Sequence, residues 1–256
     1  MSVALETRDL TIRFGGHTAV DRVSCLFRPG ELVAIVGPNG AGKTTFFNLV
    51  SGQLRASSGA VLLDGVDIVH ESAPTRARRG IGRAFQLTNL FPNLSVAENV
   101  RLAVQAAAGV HYGMLRPWMR RRDLIERAET ILEQVALSQK RAHAAAALPH
   151  GDQRKLEVAL MMALEPRIFM FDEPTAGMSV DEAPVVLDLI ARLKQDKSKI
   201  VLLVEHKMDV VRALADRIIV LVNGACVADG KPADVIASPI VQEAYLGMTP
   251  KAGAAA

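Results

Sequence analysis

A glycine-rich stretch, residues 37–45 (GPNGAGKTT), constrains the fold of this chain more than any other feature. It has the pattern G-x-x-x-x-G-K-[ST] and lies between two apolar runs, residues 32–36 and 46–50. The pattern predicts a strand, a tight loop and a helix, because glycines allow a turn whose backbone N–H groups point inward. Those amides and the positive end of the helix form an anion site. A chance match is the alternative, but the flanking runs argue against it, and we predict a nucleotide site.

The residues of this loop have separate expected roles. Lys43 is expected to reach the terminal phosphates, and the Thr44 hydroxyl is expected to ligate Mg²⁺. The other members of the predicted nucleotide-binding set are Gly37, Pro38, Asn39, Gly40, Ala41, Gly42 and Thr45.

Composition defines the broad class of protein. With 256 residues, 50% of them hydrophobic, the chain can bury a core as one domain or as a domain with a small subdomain. No stretch approaches the roughly 18 apolar residues of a membrane span. No signal-peptide pattern begins the chain, and we expect no secretion. Cys25 and Cys226 lack a C-x-x-C spacing and are interpreted as two reduced cytosolic thiols.

The formal net charge of +3 is too small to indicate a nucleic-acid partner by itself. Local basic clusters occur at residues 116–122 and at Arg76, Arg78, Arg79 and Arg83. A solvated face is the more frequent origin of such clusters, and we interpret both in that way.

The predicted elements change along the chain from antiparallel β structure to alternating strands and helices. Residues 3–36 contain several short β segments, and a hairpin is predicted at residues 60–68. Later, apolar strands at residues 168–171 and 200–204 alternate with helices, which is typical of a buried parallel sheet. A last hairpin is predicted at residues 218–228.

Two capping boxes predict where helices begin. One begins at Ser95 and the other at Ser179, each with a glutamate three residues later. A further helix is predicted over about residues 152–164, before Pro166.

Charged side chains follow two of the buried strands. Asp172 and Glu173 end the strand at residues 168–171, and His206 follows the strand at residues 200–204. Ligands of an open parallel sheet bind at the carboxyl ends of its strands. Asp172 is therefore a candidate Mg²⁺ ligand, and Glu173 is a candidate general base for an attacking water. His206 is a candidate hydrogen-bond donor to the γ-phosphate or to the water of Glu173.

Each of these assignments has a simpler alternative. Two carboxylates can end a strand in solvent, and a lone histidine is usually a surface or capping residue. The upstream phosphate loop and the position of His206 at a second core strand favour the functional interpretation. Gln86 is a further candidate metal ligand through its amide oxygen, and the sequence alone does not decide whether it has this role.

The order and spacing of these motifs resemble those of an ABC-type ATPase over essentially the whole chain. The matching segments are residues 37–45 (Walker A), Gln86 (Q-loop), residues 148–153 (signature), Asp172 and Glu173 (Walker B), Asp181 (D-loop region) and His206 (H-loop). The resemblance implies ATP and Mg²⁺ as cofactors and a head-to-tail dimer. In such a dimer ATP lies between the Walker A of one subunit and the signature of the other.

Two further sets of site residues follow from this resemblance. Pro149, His150 and Gly151 are placed against the nucleotide of the opposite subunit. Phe14 lies where the family places an aromatic ring that stacks on adenine; a strand core residue is the alternative.

Finer features resemble the ATP-binding subunit of a branched-chain amino-acid ABC importer. They are residues 13–16 (RFGG), 85–91 (FQLTNLF), 204–208 (VEHKM) and 244–247 (AYLG). These features identify a subfamily and not a ligand, since relatives move other amino acids, amides or urea. The implied partners are a second ATPase subunit, identical or paralogous, integral-membrane permease subunits and, indirectly, a substrate-binding protein, with no nucleic acid. The implied location is peripheral, on the cytoplasmic face of the inner (plasma) membrane.

The predicted fold class is α/β: a P-loop NTPase of the ABC ATPase type. It has a mixed or parallel core sheet, an antiparallel β subdomain and a helical subdomain. We expect one ABC ATPase domain over residues 1–247 and a flexible tail over residues 248–256. The β subdomain and nucleotide core are expected at about residues 1–86 and 165–230, and the helical subdomain at about 87–164.

Functions from two other classes fit the sequence less well. A DNA-acting ABC ATPase needs a long coiled coil between Gln86 and the signature, and residues 87–147 are too short and too broken. A ribosomal one carries two ATPase units per chain. A P-loop kinase explains neither His206 nor residues 148–153.

The chain departs from the family pattern at two places. The usual L-S-G-G-Q signature is replaced by residues 148–152 (LPHGD), so that proline stands in place of serine. Residues 175–179 (TAGMS) replace the commoner S-A-L-D near Asp181, which this subfamily often does. The second departure supports the subfamily, whereas the first predicts a weakened contact with the nucleotide of the opposite subunit.

Overall fold

The computed structural model describes residues 4–84, 90–109, 122–179 and 181–246. The strands are β1 (Leu5–Phe14), β2 (His17–Phe27), β3 (Leu32–Val36), β4 (Ser58–Leu63), β5 (Val66–Asp67), β6 (Ile81–Ala84), β7 (Ile168–Asp172), β8 (Ile200–Val204), β9 (Arg217–Val222) and β10 (Ala225–Gly230). The α-helices are α1 (Lys43–Ser51), α2 (Ala73–Arg78), α3 (Val96–Ala107), α4 (Arg122–Gln134), α5 (His150–Leu164), α6 (Ala183–Leu193), α7 (Met208–Leu214), α8 (Pro232–Ala237) and α9 (Pro239–Leu246).

The first strands form an antiparallel sheet in the order β2-β1-β4-β5. The first short β segments predicted in residues 3–36 belong to one strand of 10 residues, β1, because an irregularity near Asp9, whose φ is +44°, lets the pairing with β2 continue. The predicted hairpin between β4 and β5 is confirmed. Its turn residues, Asp64 and Gly65, have φ values of +53° and +80°, which suit the twist of a two-residue hairpin.

The second sheet has the order β10-β9-β3-β8-β7-β6. Its strands are parallel except for β10, which pairs antiparallel with β9 in the predicted closing hairpin. β3, β7 and β8 are buried along their whole length, and this is why they are continuous apolar runs. Because β3, β8 and β7 are neighbours, the segments that follow them meet at one edge of the sheet.

Helices α3, α4 and α5 pack together beside the core sheet. Their apolar faces share one hydrophobic cluster with α6 and with β7, to which β7 contributes Phe169 and Phe171. The capping box predicted at Ser95 is confirmed, since Ser95 Oγ accepts a hydrogen bond from the backbone N–H of Glu98 at 3.1 Å. The predicted division into a β subdomain with the nucleotide core (about residues 1–86 and 165–230) and a helical subdomain (about residues 87–164) stays a prediction.

The predicted start of α6 was wrong by three positions. Ser179 and Glu182 do exchange the hydrogen bonds of a capping box, but the helix begins only at Ala183. The box here closes a turn ahead of the helix. By contrast, α5 begins at His150, two residues before the predicted start.

The sequence analysis interpreted the arginines between residues 76 and 83 as a solvated face. This interpretation was wrong for Arg76 and Arg83, whose side chains are buried. Arg76 donates to the backbone carbonyls of Leu49, Val50, Val69 and Glu71, and so satisfies oxygens at the end of α1 and in the following turns. Buried cations persist where every donor finds an acceptor. Arg78 and Arg79 are exposed, as predicted.

Several predictions fall on residues outside the described ranges, namely Gln86, the tail at residues 248–256 and nearly all of the basic cluster at residues 116–122. In the part of the chain that the structure covers, no helix combines the length and hydropathy needed to cross a membrane.

Candidate active site

The loop between β3 and α1 has the backbone conformation that the glycine pattern predicts. Gly37, Gly40 and Gly42 have φ values of +153°, +80° and +95°. A Cβ on Gly37 would collide with the carbonyl oxygen of Leu221, and one on Gly42 would collide with that of Ala19. Glycine is therefore required at Gly37 and Gly42 both by the dihedral angle and by the neighbouring backbone.

Lys43 is the first residue of α1, and its side chain is folded back over the loop. Its Nζ donates hydrogen bonds to the carbonyl oxygens of Gly37 at 2.8 Å and Pro38 at 2.9 Å. Burial lowers the pKa of Lys43, and the nearby carboxylates of Glu173 and Asp172 oppose that change. The ammonium is thus placed across the mouth of the loop, where phosphate oxygens can replace the two carbonyls.

Asp172, the last residue of β7, has the position predicted for a metal ligand. Its carboxylate is fully buried, and burial raises its pKa, while Arg83 and the Thr44 hydroxyl oppose the rise. Oδ2 accepts a hydrogen bond from Arg83, but the buried Oδ1 has no hydrogen-bond partner among the described residues. An unsatisfied carboxylate oxygen beside a threonine hydroxyl suits a hard cation such as Mg²⁺.

No cluster of three or more His, Cys, Asp or Glu side chains with metal-site geometry occurs within the described ranges. Gln86, the other predicted ligand, lies outside the described residues, so its metal role stays a prediction.

Glu173 and His206 are brought together from the ends of two neighbouring strands. His206 Nε2 lies 2.6 Å from Glu173 Oε1, and both side chains are partly exposed to the space in front of the loop. Glu173 has a φ of +51°, a left-handed conformation that is costly for a non-glycine residue. Its backbone N–H donates to Val204 O at 3.0 Å, which fixes the strained residue to β8.

Glu205 is a structural residue of this site that the sequence analysis did not identify as important. Its buried carboxylate accepts from Thr175 Oγ1 at 2.6 Å and from the backbone N–H groups of His206 and Lys207 at 3.0 and 3.4 Å. It therefore ties the turn after β7 to the backbone that carries His206. A glutamate at the end of an apolar strand was the available signal, but its partners could not be read from the sequence.

A cavity of about 280 Å³ lies in front of the phosphate loop. It is lined by residues 39–45 and by His17, Ala19, Glu173 and His206. Phe14 pairs with His17 in the β1–β2 ladder and is 51% exposed, so the alternative of a strand core residue was wrong. Its stacking on adenine stays a prediction.

The signature residues lie elsewhere, at the start of α5. Pro149 is the N-cap residue, with a φ of −54°, so the proline is compatible with normal helix formation. His150 Nε2 lies 3.3 Å from Ala176 O, and the Glu182 carboxylate packs against Gly151. These contacts are within the subunit. Contact of these three residues with a second subunit's nucleotide stays a prediction.

Asp152, which stands where the usual signature has glutamine, is neutralised by two lysines. Lys140 and Lys155 both form ion pairs with it, the latter at 3.0 Å. Burial alone would raise the pKa of Asp152, but the hydrogen bonds from Lys140 and Lys155 hold it below its usual value. The carboxylate is thus ionised at neutral pH, and it adds no net negative charge to this end of the helix.

Comparisons with known proteins show what this chain resembles. The family model described as "ABC transporter" matches residues 20–176. The high-affinity branched-chain amino acid transport ATP-binding protein BraF of Pseudomonas aeruginosa is 39% identical over 248 residues, which are 95% of this chain and 97% of BraF.

Solved structures of ATP-binding cassettes have the same fold. The ADP conformation of one cassette from an ABC transporter gives a TM-score of 0.81 at 27% identity, over 97% of this chain and 100% of that one. A dimeric cassette in a post-hydrolysis state, bound to ADP and Pi, gives a TM-score of 0.76 at 27% identity, over 89% and 98%.

Proposed function

The chain belongs to the ABC transporter family as an ATP-binding, ATP-hydrolysing subunit, and from that premise we propose that it drives the import of branched-chain amino acids or of other amino acids. The likeness to BraF, which extends over nearly the full length of both chains, supports the choice of substrate class. Urea and amides are the competing substrates.

The contact between Glu173 and His206 beside the phosphate loop is the observation that best supports a role in hydrolysis. Glu173 takes a proton from, or orients, the water that attacks the γ-phosphate. His206 Nε2 holds the Glu173 carboxylate in place, as in the structure, or donates to the γ-phosphate as negative charge develops there. Lys43 exchanges its bonds to Gly37 and Pro38 for bonds to the terminal phosphates.

We propose Thr44 and Asp172 as the protein ligands of Mg²⁺, with Gln86 as a third. The unsatisfied Oδ1 of Asp172 supports this assignment, since burial of an unpaired carboxylate oxygen is costly unless a cation or donor meets it. Bound there, Mg²⁺ supplies positive charge that stabilises the transferring phosphate.

A complete site needs a second ATPase subunit in head-to-tail contact. Pro149, His150 and Gly151 do not line the cavity in front of the phosphate loop of their own chain. Their place at the start of α5 allows them to face the nucleotide of a partner, which is identical or paralogous. The dimeric cassette among the similar structures supports this arrangement.

We propose that the subunit is peripheral, on the cytoplasmic face of the inner membrane, where it binds a permease helix near residues 87–94. Leu90 is half-buried and Phe91 is 56% exposed; residues 87–89 lie outside the described ranges. Exposed large apolar groups of this kind often form a partner surface.

Crosslinking can test the docking surface. In a chain whose Cys25 and Cys226 are replaced by serine, a cysteine at Phe91 should crosslink to a cysteine in a cytoplasmic permease helix, and ATP should change the yield. A cysteine at Val66, an equally exposed apolar residue on β5, is the matched control and should not crosslink. Failure at every position of a scan over residues 87–94 would refute the docking proposal.

Uptake measurements test the substrate class. Deletion of the gene should abolish high-affinity uptake of radiolabelled leucine, isoleucine and valine, and the wild-type chain should restore it while Glu173→Gln should not. Loss of urea or amide uptake with normal amino-acid uptake would replace the substrate assignment. Normal uptake of all these compounds would favour an ABC ATPase that does not act in transport.

A further inference from the structure

Arg83 lies on β6, beside the segment of β7 that ends in the proposed metal ligand. The register pairs Arg83 with Met170, so its side chain reaches the carboxyl end of β7. Its Nη2 donates to Asp172 Oδ2 at 2.9 Å, and only 6% of the Arg83 side chain and none of the Asp172 side chain is exposed. The two charges are therefore paired away from solvent.

The guanidinium of Arg83 is also held from the opposite side by α1 and the loop after it. Nη1 donates to Asn48 Oδ1 at 2.5 Å and reaches Ser51 Oγ and Gln53 Oε1, each at 3.2 Å. The ring of Phe47 lies 5.6 Å from the guanidinium carbon. Arg83 is thus fixed by the helix that begins at the phosphate loop and does not depend on Asp172 for its position.

The two oxygens of Asp172 have different surroundings as a result. Oδ2 is occupied by Arg83, whereas Oδ1 is buried without a hydrogen-bond partner among the described residues. The Thr44 hydroxyl is close enough to affect the carboxylate. A fixed cation on one oxygen sets the rotation of the carboxylate, and so also the direction in which the other, unpaired oxygen points.

We propose that Arg83 is a positioning residue for the metal: it holds Asp172 through Oδ2 so that Oδ1 is oriented to bind Mg²⁺ together with ATP. This inference rests on the proposed role of Asp172 as a metal ligand. The partners of a ligating carboxylate orient it and raise its affinity for the metal. Because Arg83 and Mg²⁺ use different oxygens, both can bind Asp172 at the same time.

Equilibrium binding of the β,γ-imido analogue of ATP, with Mg²⁺ and with EDTA, tests the inference without any turnover. The quantity of interest is the ratio of the two dissociation constants, which reports the metal's contribution. In Arg83→Met we expect the advantage given by Mg²⁺ to fall about tenfold or more, the usual effect of losing a partner of a metal ligand. The dissociation constant in EDTA should change less than threefold.

Three variants separate positioning from general damage. Arg83→Lys keeps the charge but loses the planar geometry, and it should lose part of the metal advantage. Asn48→Ala removes only a support of Arg83 and should have a smaller effect in the same direction. Arg76→Lys is the matched control, because Arg76 is equally buried beside α1 but contacts only backbone carbonyls; it should lower the melting temperature and leave the metal advantage unchanged.

A double-mutant cycle with Asp172→Asn tests whether Arg83 acts through Asp172. Asp172→Asn should lose the metal advantage by itself, and adding Arg83→Met should cause little further loss, since coupled residues are not additive. Full additivity would show that Arg83 acts elsewhere.

Each other outcome is also decisive. A folded Arg83→Met protein with an unchanged metal advantage would make the arginine merely structural, and an increased advantage would mean that Arg83 competes with Mg²⁺. If Arg83→Met does not fold, Arg83→Lys and Asn48→Ala decide the question in the same assay. If the wild-type chain binds the analogue equally with Mg²⁺ and with EDTA, the proposed metal site itself fails.

Discussion

The phosphate-loop region and the signature region differ in how far each is complete within one subunit. Around the phosphate loop, Lys43, Glu173 and His206 line one cavity, and the Asp172 carboxylate is buried at the end of β7. At the start of α5, the polar contacts that the structure describes are made within the subunit. We therefore interpret the first region as a preformed part of the proposed site, whereas the second would become part of a site only against a partner.

Backbone strain and buried charge are accommodated differently in the two regions. In the phosphate-loop region a left-handed Glu173 and an unsatisfied Asp172 oxygen persist because strands β7 and β8 hold the backbone. In the signature region Asp152 is compensated locally by Lys140 and Lys155. This compensation suits the proposed contact with another subunit's phosphates, which an uncompensated negative charge would repel.

Glu173→Gln should give the largest effect, because it removes the proposed base from the complete region. We expect kcat to fall by about 10²-fold or more, the usual scale for loss of a general base, while ATP binding is retained. Single-turnover hydrolysis and nucleotide-binding assays measure the two quantities, and an ATP-bound dimer should accumulate. Glu133→Gln, an exposed carboxylate on α4, is the control. Near-normal turnover of Glu173→Gln would remove it from the base role.

Gly42→Ala should give the next largest effect, a loss of about 2 kcal/mol or more in the free energy of ATP binding or of unfolding. The reason is that Gly42 has a φ of +95° and that an added Cβ would collide with the Ala19 carbonyl oxygen. Gly40→Ala, where φ is +80° but the Cβ has open space, is the matched control. Gly40→Ala should be destabilised only by the smaller free-energy cost of placing alanine at a positive φ. Isothermal titration and thermal melts measure both variants, and equal losses would contradict the steric argument.

Pro149→Ser tests whether the signature region contacts nucleotide in a dimer. A serine hydroxyl and a backbone N–H should strengthen the contact with the opposite ATP by about 1.5 kcal/mol or more, roughly tenfold in ATP-dependent dimerisation or turnover. The serine also caps α5, which stabilises the monomer separately. Melting curves without ATP therefore measure how much the cap stabilises the monomer, and analytical ultracentrifugation with ATP measures the dimerisation constant.

His150→Ala is the companion of that variant. If a protonated His150 replaces the missing serine at the phosphate, its loss should lower dimerisation, although in the free subunit the ring contacts Ala176 O. Unchanged ATPase rate and dimerisation in both Pro149→Ser and His150→Ala would show that the signature segment makes no nucleotide contact of this kind.

Asp152→Asn should give the smallest effect, about 1 kcal/mol at neutral pH, because one of its lysine partners is half exposed. The folded-state pKa of Asp152 is lowered below 3.8, so its stabilisation is present above that value and is lost as the pH falls through the folded pKa. Wild-type stability should therefore drop more than that of Asp152→Asn between about pH 4 and 2. Parallel curves from urea melts would contradict this ion-pair role.

Much of the fold and part of the site could be predicted because their signals are local. The phosphate loop, the apolar strands β7 and β8 and the hairpin turns follow from residue type and spacing over a few positions. The placement of Asp172, Glu173 and His206 at strand ends then followed from the rule for parallel sheets.

The sequence was misleading at Arg83 and at the start of α6, and at Arg83 the deciding contacts came from distant segments. The sequence predicted an exposed Arg83, but β6 pairs with β7 and α1 covers the side chain. The turn at Ser179 has the capping-box residues, yet the helix begins later.

Residue types, periodicity and motif spacing were enough to determine which elements form and where the phosphate loop lies. Only the tertiary structure decided which charges are buried and what pairs with them, as for Arg83 with Asp172 and Glu205 with Thr175. Cys25 and Cys226 looked isolated, but the Cys226 thiol and burial together raise the pKa of Cys25. The reason is physical: local backbone preferences act over a few residues, whereas burial and pairing depend on chain segments that meet only when the sheets assemble.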